Sequence, residues 1–348
     1  GGGALSSLSM QVERGAAQGA RLVKFKAADM EIMRPLGEMG FALVTDWEYY
    51  GDGVRNPLNP DTPSRTVEKQ GASIRLFQGK IARGSLMNAR MLLKEYFPGA
   101  RDLATQELRV YTELVEDWAA RAPNEDFDNA PVATLRGWFE TTMECRQQSF
   151  VNNWQDRFPR VAPPDPGNLW LVFRWDGGRP LPELWRDRKK APSFWDSLGA
   201  PAFGSGSQLA REERYLRQVI KGSIAALAFL HDRSILHRSI GSPSITVSSL
   251  DPDDSASLQV KLRDFGFASR AAMLDDETVA ALRRGGAVTP SEMFALLAAE
   301  DVYALGLALL EAVFSTLTRA TPMPEKPKGP AGLMQAWIKQ TGMPDEQA

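Results

Sequence analysis

The sequence predicts an α+β protein in which a strand-rich first half is followed by a mainly helical second half. Three observations carry that expectation. Short β-type runs crowd residues 30–175, and the longest apolar stripes at helical spacing come later, at Glu212 to His231 and Glu300 to Phe314. Composition is the third: 348 residues with 43% hydrophobic and 24% charged are enough for a sizeable core and exclude wholesale disorder. No repeat period is visible, which argues against a solenoid or propeller.

Residues 1–28 are rich in Gly, Ala, Ser and charge without sustained periodicity and read as an N-terminal extension. Strand-like sequence begins at Met30, with Ile32, Met33 and Leu36, then Phe41 to Val44. The stretch 45–72 holds Gly51, Gly53 and three prolines, the composition of a solvated loop. Ser73 to Phe77 and Arg90 to Tyr96 are the next strands, and after Pro98-Gly99 a helix is expected from Asp102 to Trp118. Strands recur at Val132 to Phe139 and Leu169 to Trp175, with 140–168 between them as an insertion of mixed polarity that contains Cys145. Ser244 to Ser248 and Leu258 to Leu262 read as two short strands joined by a polar turn.

Forty-one Lys and Arg against 43 Asp and Glu leave a net charge of -2, so nothing electrostatic favours a nucleic-acid or acidic-membrane partner. A single cysteine excludes an intramolecular disulfide and, with two histidines, argues against a Cys/His zinc site; a soluble, intracellular, reducing setting is expected. No apolar run approaches the 18 or more residues of a membrane helix, the richest being Val302 to Phe314, so no transmembrane segment is expected. The opening Gly1 to Ser7 lacks a basic region followed by an apolar one and reads as a trimmed or processed terminus.

Leu236-His237-Arg238-Ser239-Ile240, followed downstream by Asp264-Phe265-Gly266, resembles the catalytic loop and metal-binding motif of the eukaryotic-type protein kinase superfamily. Further pieces occur in that family's order over about residues 30–315. Leu92-Leu93-Lys94 resembles the third-strand lysine motif, which the resemblance assigns to the α and β phosphates of ATP, and Glu107 stands where the family keeps that lysine's acidic partner. Pro131 to Phe139 resembles the fourth strand. Leu171 to Gly178 resembles the fifth strand and hinge, with Phe173 as gatekeeper and Arg174 and Trp175 opening the hinge. Asp301-Val302-Tyr303-Ala304-Leu305-Gly306 is similar to the helix whose aspartate anchors the catalytic-loop backbone. The resemblance implies a bilobal fold: an antiparallel-sheet N-lobe over 29–175, with insertions near 45–72 and 140–168, and a helical, shortened C-lobe over 176–348. The proline-rich residues after Asp301 hold one helix-like stretch, Leu333 to Lys339. Glu292, read as the closing acid of the activation segment, finds no arginine after Arg319.

Phosphoryl transfer needs a phosphate cradle, a lysine held by an acid, metal ligands and a carboxylate near the acceptor hydroxyl. Lys94, Glu107 and Asp264 supply three of these. Ser239 stands at the position of the catalytic aspartate, Gly241 at that of the catalytic lysine, and Ser244 at that of the second metal ligand. A hydroxyl cannot do a carboxylate's work near neutral pH, because its pKa is far too high. The glycine-rich loop has two placements. One uses Leu36 to Ala42, with Gly37 and Gly40 retained and Met39 and Ala42 replacing glycines. The other places 45–72 between the first two strands, since Phe77-Gln78-Gly79 resembles the end of the second.

The bland readings stand beside these. Lys94 with Glu107 is either a nucleotide clamp or a structural pair tying helix to sheet. His237 and Phe265 read as packing residues stacking with Tyr111 and Leu135, and Arg238 is expected to pair with Asp275, Asp276 or Glu277. Trp138, Trp170 and Trp175 read as core, and Trp185 and Trp195 as flanking a basic loop. The expected function is a pseudokinase, holding ATP with Mg2+ and serving as a regulatory or scaffolding module for a protein partner. The alternatives are a divergent Ser/Thr kinase with residual transfer to a protein substrate, and a structural subunit that binds no nucleotide. Leu92 to Tyr96 and Trp170 to Gly177 also resemble plastid kinase-like proteins of plants and algae, including the state-transition kinases; that implies a chloroplast location.

Overall fold

The computed structural model describes residues 22–41, 72–184, 204–270, 274 and 276–317. The loop expected at 45–72, Trp185 and Trp195 with their basic neighbours, Asp275, and the helix expected at Leu333 to Lys339 lie outside the described residues, apart from Ala72. The chain divides into two compact units, Gly1–Leu108 with Leu135–Arg174, and Arg109–Thr134 with Trp175–Ala348.

The first unit is built on a six-stranded sheet of order β1-β5-β6-β4-β3-β2. Its strands are β1 (Val23–Lys24), β2 (Met30–Phe41), β3 (Ala72–Ile81), β4 (Arg90–Tyr96), β5 (Leu135–Glu140) and β6 (Leu169–Arg174). All neighbours are antiparallel except β1 and β5. Residue alternation sets the two faces: on β4, Leu93 and Glu95 point one way and Lys94 and Tyr96 the other. Residues 42–71 lie in the chain between the paired strands β2 and β3.

The insertion 140–168 is a structured cover. It carries α2 (Gln148–Arg157), which follows α1 (Arg101–Arg121) in the chain. Trp154 meets Phe77 edge-on at 5.8 Å and Phe158 at 5.0 Å, and Phe77 and Phe139 pack on the fully buried Trp170 at 5.4 and 5.3 Å. The indole Nε1 of Trp154 donates to the Val161 carbonyl (2.8 Å), fixing the chain that follows α2. At one end of this apolar layer lies a buried polar group, in which Arg75 meets Glu95 at 2.6 Å and the Asn168 amide donates to Glu95 at 2.8 Å. Cys145 is buried there as well, and burial pushes its thiol pKa up, as befits a packing residue. Of the three strand tryptophans, Trp170 is core, whereas Trp138 and Trp175 are half-buried; Lys24 Nζ lies 4.4 Å from the Trp138 ring.

In the second unit α1 contributes Arg109 to Arg121, followed by β7 (Arg179–Pro180), α3 (Gly204–His231) and β8 (Ile235–Leu236). Then come β9 (Ile245–Val247), β10 (Val260–Leu262), β11 (Ser269–Arg270), α4 (Asp276–Arg284) and α5 (Pro290–Leu317). Strands β10-β9-β7 form one small sheet and β11-β8 another. The last helix starts earlier than its apolar stripe suggests, because Thr289-Pro290-Ser291-Glu292 is a capping box. The Thr289 hydroxyl accepts from Glu292 N (3.2 Å), and Glu292 Oε2 accepts from the N–H groups of Val288 and Thr289 (both 2.8 Å). Glu292, expected to await an arginine, is therefore a helix cap, and those bonds hold its pKa below the ordinary value. Pro290–Ser315 is long and apolar enough to cross a membrane, which corrects the expectation that no apolar run reaches that length. One such helix does not establish a span.

Val23–Lys24, assigned from sequence to the extension, joins the sheet instead, and Phe25 N–H donates to the Trp138 carbonyl at 2.8 Å. A Cβ on Gly137 would stand 1.9 Å from the Val23 carbonyl oxygen, so only glycine admits this strand. Gly137→Ala is expected to expel β1 while leaving the other five strands paired. Hydrogen exchange should show loss of protection at Phe25, with β4 and β6 amides unchanged.

Candidate functional site

Strand alternation and one helical turn assemble the first candidate group entirely within the first unit. Lys94, on β4, sends Nζ to both carboxylate oxygens of Glu107 on α1, at 3.0 and 2.7 Å. Both side chains are almost wholly buried, at 3% and 1% exposure. Tyr96, two residues along the same face of β4, donates its hydroxyl to Glu107 Oε2. The rings of Tyr96 and Phe173 each lie 5.4 Å from Lys94 Nζ, where their faces favour a cation. Phe173 is opposite Leu92 in the β4–β6 pairing, and Arg174 closes β6 with its side chain exposed. Lys94 is therefore held by an acid, as a phosphate-clamping lysine must be. Tyr96 was missed in the sequence, although its i+2 spacing from Lys94 was readable there.

Gly37 and Gly40 lie in β2, opposite Leu76 and Ser73 of β3. Gly37 sits at a register shift with φ +152°, a conformation that favours glycine, while its Cβ position is open. Its conformation, and not lack of space, requires glycine there.

The second group lies within the second unit, in the loop between β8 and β9 and after β10. Asp301, on α5 and 3% exposed, accepts from the backbone N–H of His237 (2.7 Å) and Arg238 (2.8 Å). His231 Nε2 is 3.1 Å from the same carboxylate. Burial alone would raise the Asp301 pKa, but these bonds outweigh it and hold the pKa below the ordinary value. The anchor lets Arg238 adopt a left-handed φ of +60°. Arg238 makes no ion pair with Asp276 or Glu277 among the described residues; its charge instead acts on Glu300, whose pKa burial raises and Arg238 lowers. The His237 ring is buried, which depresses its pKa, and Nε2 faces the Arg263 carbonyl at 3.0 Å. A carbonyl only accepts, so Nε2 carries the proton and Nδ1 is left facing Ser239 Oγ at 3.4 Å. His237 meets Phe265 edge-on at 5.3 Å, and Phe265 packs on Tyr111 at 5.0 Å. His237, Phe265 and Tyr111 thus stack as expected within the second unit, whereas Leu135, the fourth residue expected, belongs to the first.

Ser239 brings no carboxylate to the loop. Gly241, with φ -151°, needs no special backbone freedom, and a Cβ there would make only ordinary contact with Pro243. Ser244 Oγ donates to Gly241 O (2.7 Å) and accepts from Gly241 N (2.9 Å), so its hydroxyl closes the loop on itself. Asp264 has a left-handed backbone (φ 70°, ψ 59°), strain of order 1–2 kcal/mol for a non-glycine residue. Its Oδ2 lies 3.1 Å from the Nε of Arg263. Trp175 is half-buried at the chain's entry into this unit.

Of the residues the resemblance would give to a divalent ion, Asp264 has its Oδ2 3.1 Å from the Arg263 guanidinium Nε, and the Ser244 hydroxyl is closed on Gly241. Mg2+ takes an octahedron of oxygens, commonly one or two carboxylates completed by substrate phosphates and waters. Arg263 was overlooked in the sequence, where only its adjacency to Asp264 marked it.

No family model matches the chain. A curated relative, the chloroplastic serine/threonine-protein kinase STN8 of Arabidopsis thaliana, is 30% identical over 107 residues. The matched stretch is 30% of this chain and 19% of that protein. This similarity supports a protein-kinase-like relationship, and the mixed α/β architecture with its multi-stranded sheet is compatible with a kinase-like fold.

Removing one acceptor oxygen from Asp301 leaves a buried N–H unpaired, so Asp301→Asn should destabilise the protein by about 2–4 kcal/mol in urea unfolding. A depressed folded pKa stabilises above the unfolded pKa and is lost as pH falls through the folded one. The contribution of Asp301 should thus survive mild acid, disappear only below the ordinary aspartate range, and be absent from the pH profile of the variant. For Glu292 the sign is the same, and Glu292→Ala should raise amide exchange at Val288 and Thr289 without altering the core.

Proposed function

We propose that this chain is a pseudokinase: a bilobal protein-kinase fold that binds nucleotide and serves as a regulatory or scaffolding module for a protein partner, without efficient phosphoryl transfer. The observation that carries the reading is the loop His237 to Ser244. Its backbone is fastened to Asp301 as a catalytic loop requires, yet Ser239, Gly241 and Ser244 stand where the resemblance expects a base, a cation and a metal-binding amide. A well-held frame lacking its reactive groups supports binding over turnover. Nucleotide binding rests on Lys94, Glu107 and Phe173, with Gly37 and Gly40 in β2 and the hinge residues Arg174 and Trp175 as the resemblance assigns them. The plastid relative supports a chloroplast setting and a protein partner in this reading. The intact Lys94–Glu107 pair favours a second reading, a divergent Ser/Thr kinase with residual activity, since positioning and charge stabilisation supply much of this chemistry.

Two measurements on the purified chain separate the readings. ATP should raise the melting temperature, and the paired replacement Lys94→Met with Glu107→Gln, which removes both buried charges together, should abolish the shift. Transfer of labelled phosphate to a generic protein substrate should stay at background. Transfer that is lost in Asp264→Asn would replace the pseudokinase reading with the residual kinase, and the absence of any ATP shift would favour a structural subunit. Gly241 has room for a side chain, so the double variant Ser239→Asp, Gly241→Lys should fold and gain measurable transfer.

A further inference from the structure

We propose that the exposed face of α5 seats the chain's own segment Leu333 to Lys339, folded back along it as a short helix. Such seating is independent of nucleotide binding.

One side of α5 is packed. Asp301 holds the backbone of His237 and Arg238, and Phe294 meets His231 edge-on at 5.8 Å. Another side carries Leu296, Ala299, Tyr303, Gly306 and Leu310, alternately three and four residues apart. That is the spacing of a seam made for a second helix. Leu296 and Leu310 are each 45% exposed and Tyr303 62%, so the seam lacks a partner among the described residues. Large side chains alternate along it with small ones. A Cβ on Gly306 would meet nothing within 4 Å, which leaves a gap between Tyr303 and Leu310 for an incoming side chain. A bilayer is a poorer match, although Pro290–Ser315 is long and apolar enough to cross one. Asp301 is buried midway along α5, and crossing would cost its bonds to two backbone N–H groups of a loop.

The chain that follows α5 supplies the occupant. Leu333, Met334, Trp337 and Ile338 fall on one face at helical spacing, with Gln335 and Lys339 opposite. Residues 318–332 separate this segment from the end of α5 at Leu317. Extended, they reach about 50 Å. The 28 residues of α5 measure about 42 Å, so every turn of the seam is within reach. The tether also holds the segment at a local concentration on the order of millimolar, which a second copy of the chain does not match in dilute solution. Charge points the same way. The charged side chains of α5, Glu292, Glu300, Asp301 and Glu311, are all acidic, and Glu300 and Glu311 border the seam. Lys326, Lys328 and Lys339 flank the apolar residues of the segment.

The test is hydrogen exchange of the full chain, read by mass spectrometry. A helix this short does not persist alone in water, so slowed exchange at residues 333–339 reports docking. In wild type that exchange should be slower than in a free peptide of the same sequence by about tenfold or more, and unchanged on about hundredfold dilution. Tyr303→Glu with Leu310→Glu alters two exposed residues that the fold tolerates, and should restore the peptide's rate while exchange in α3 stays as in wild type. Leu333→Glu with Trp337→Glu should do the same from the other side, which keeps the proposal testable if the α5 variant misfolds. Exchange at 333–339 as fast as in the free peptide overturns the proposal, as does protection that survives either double variant. Protection lost on dilution, with a dimer seen in sedimentation, gives the seam to a second copy and overturns it as well.

Discussion

The Asp301 carboxylate is the constraint on which the second unit's candidate chemistry depends. One buried acid on α5 satisfies two consecutive backbone N–H groups, His237 and Arg238, and meets His231 at the end of α3. Those bonds fix where the loop runs, and everything beside it inherits that position. His237 is set to stack on Phe265 and to face the Arg263 carbonyl; Ser244, in turn, receives the Arg263 N–H. A charged acceptor is suited to this because buried backbone donors are costly to leave unpaired, and because the bonds keep the acid ionised despite its burial. The loop's course is therefore held by bonds to Asp301 in which the side chains of Ser239 and Ser244 take no part.

In the first unit the corresponding part is played by the pair of Lys94 and Glu107, joined by Tyr96. A buried ion pair gains little over apolar packing, but breaking one by removing a single partner costs about 3–5 kcal/mol. The third hydrogen bond, from Tyr96, ties Glu107 to the same strand that carries Lys94, so strand β4 and helix α1 are joined twice through one carboxylate. The pair is a structural tie, and it holds a lysine in a fixed place.

Much of this architecture was legible in the sequence, and the failures have identifiable causes. Strand β4 and the span of α1 followed from alternation and helical spacing, and Asp301 was found through a motif whose geometry is local to one helix end. Helix α2 was hidden because Trp154 and Phe158 are apolar only on the side that meets the sheet, in a segment otherwise polar. The start of α5 was misjudged because Thr289 to Glu292 satisfies two patterns at once, a capping box and an activation-segment ending, and only hydrogen bonds distinguish them. Strand β1 was lost because two residues carry no period. Arg263 illustrates a different limit: its identity was plain, but its closeness to Pro243 depends on a β-pairing that brings distant segments together.

The two-residue strand β1 also bears on how the protein behaves in company. It lies along β5, whose outward row of N–H and C=O groups would otherwise form an open edge of the sheet. An uncovered edge is a template for adding a strand from another chain, and very short strands are one means of blunting it. Gly137, by admitting the Val23 carbonyl so closely, is thus what lets part of that edge be covered.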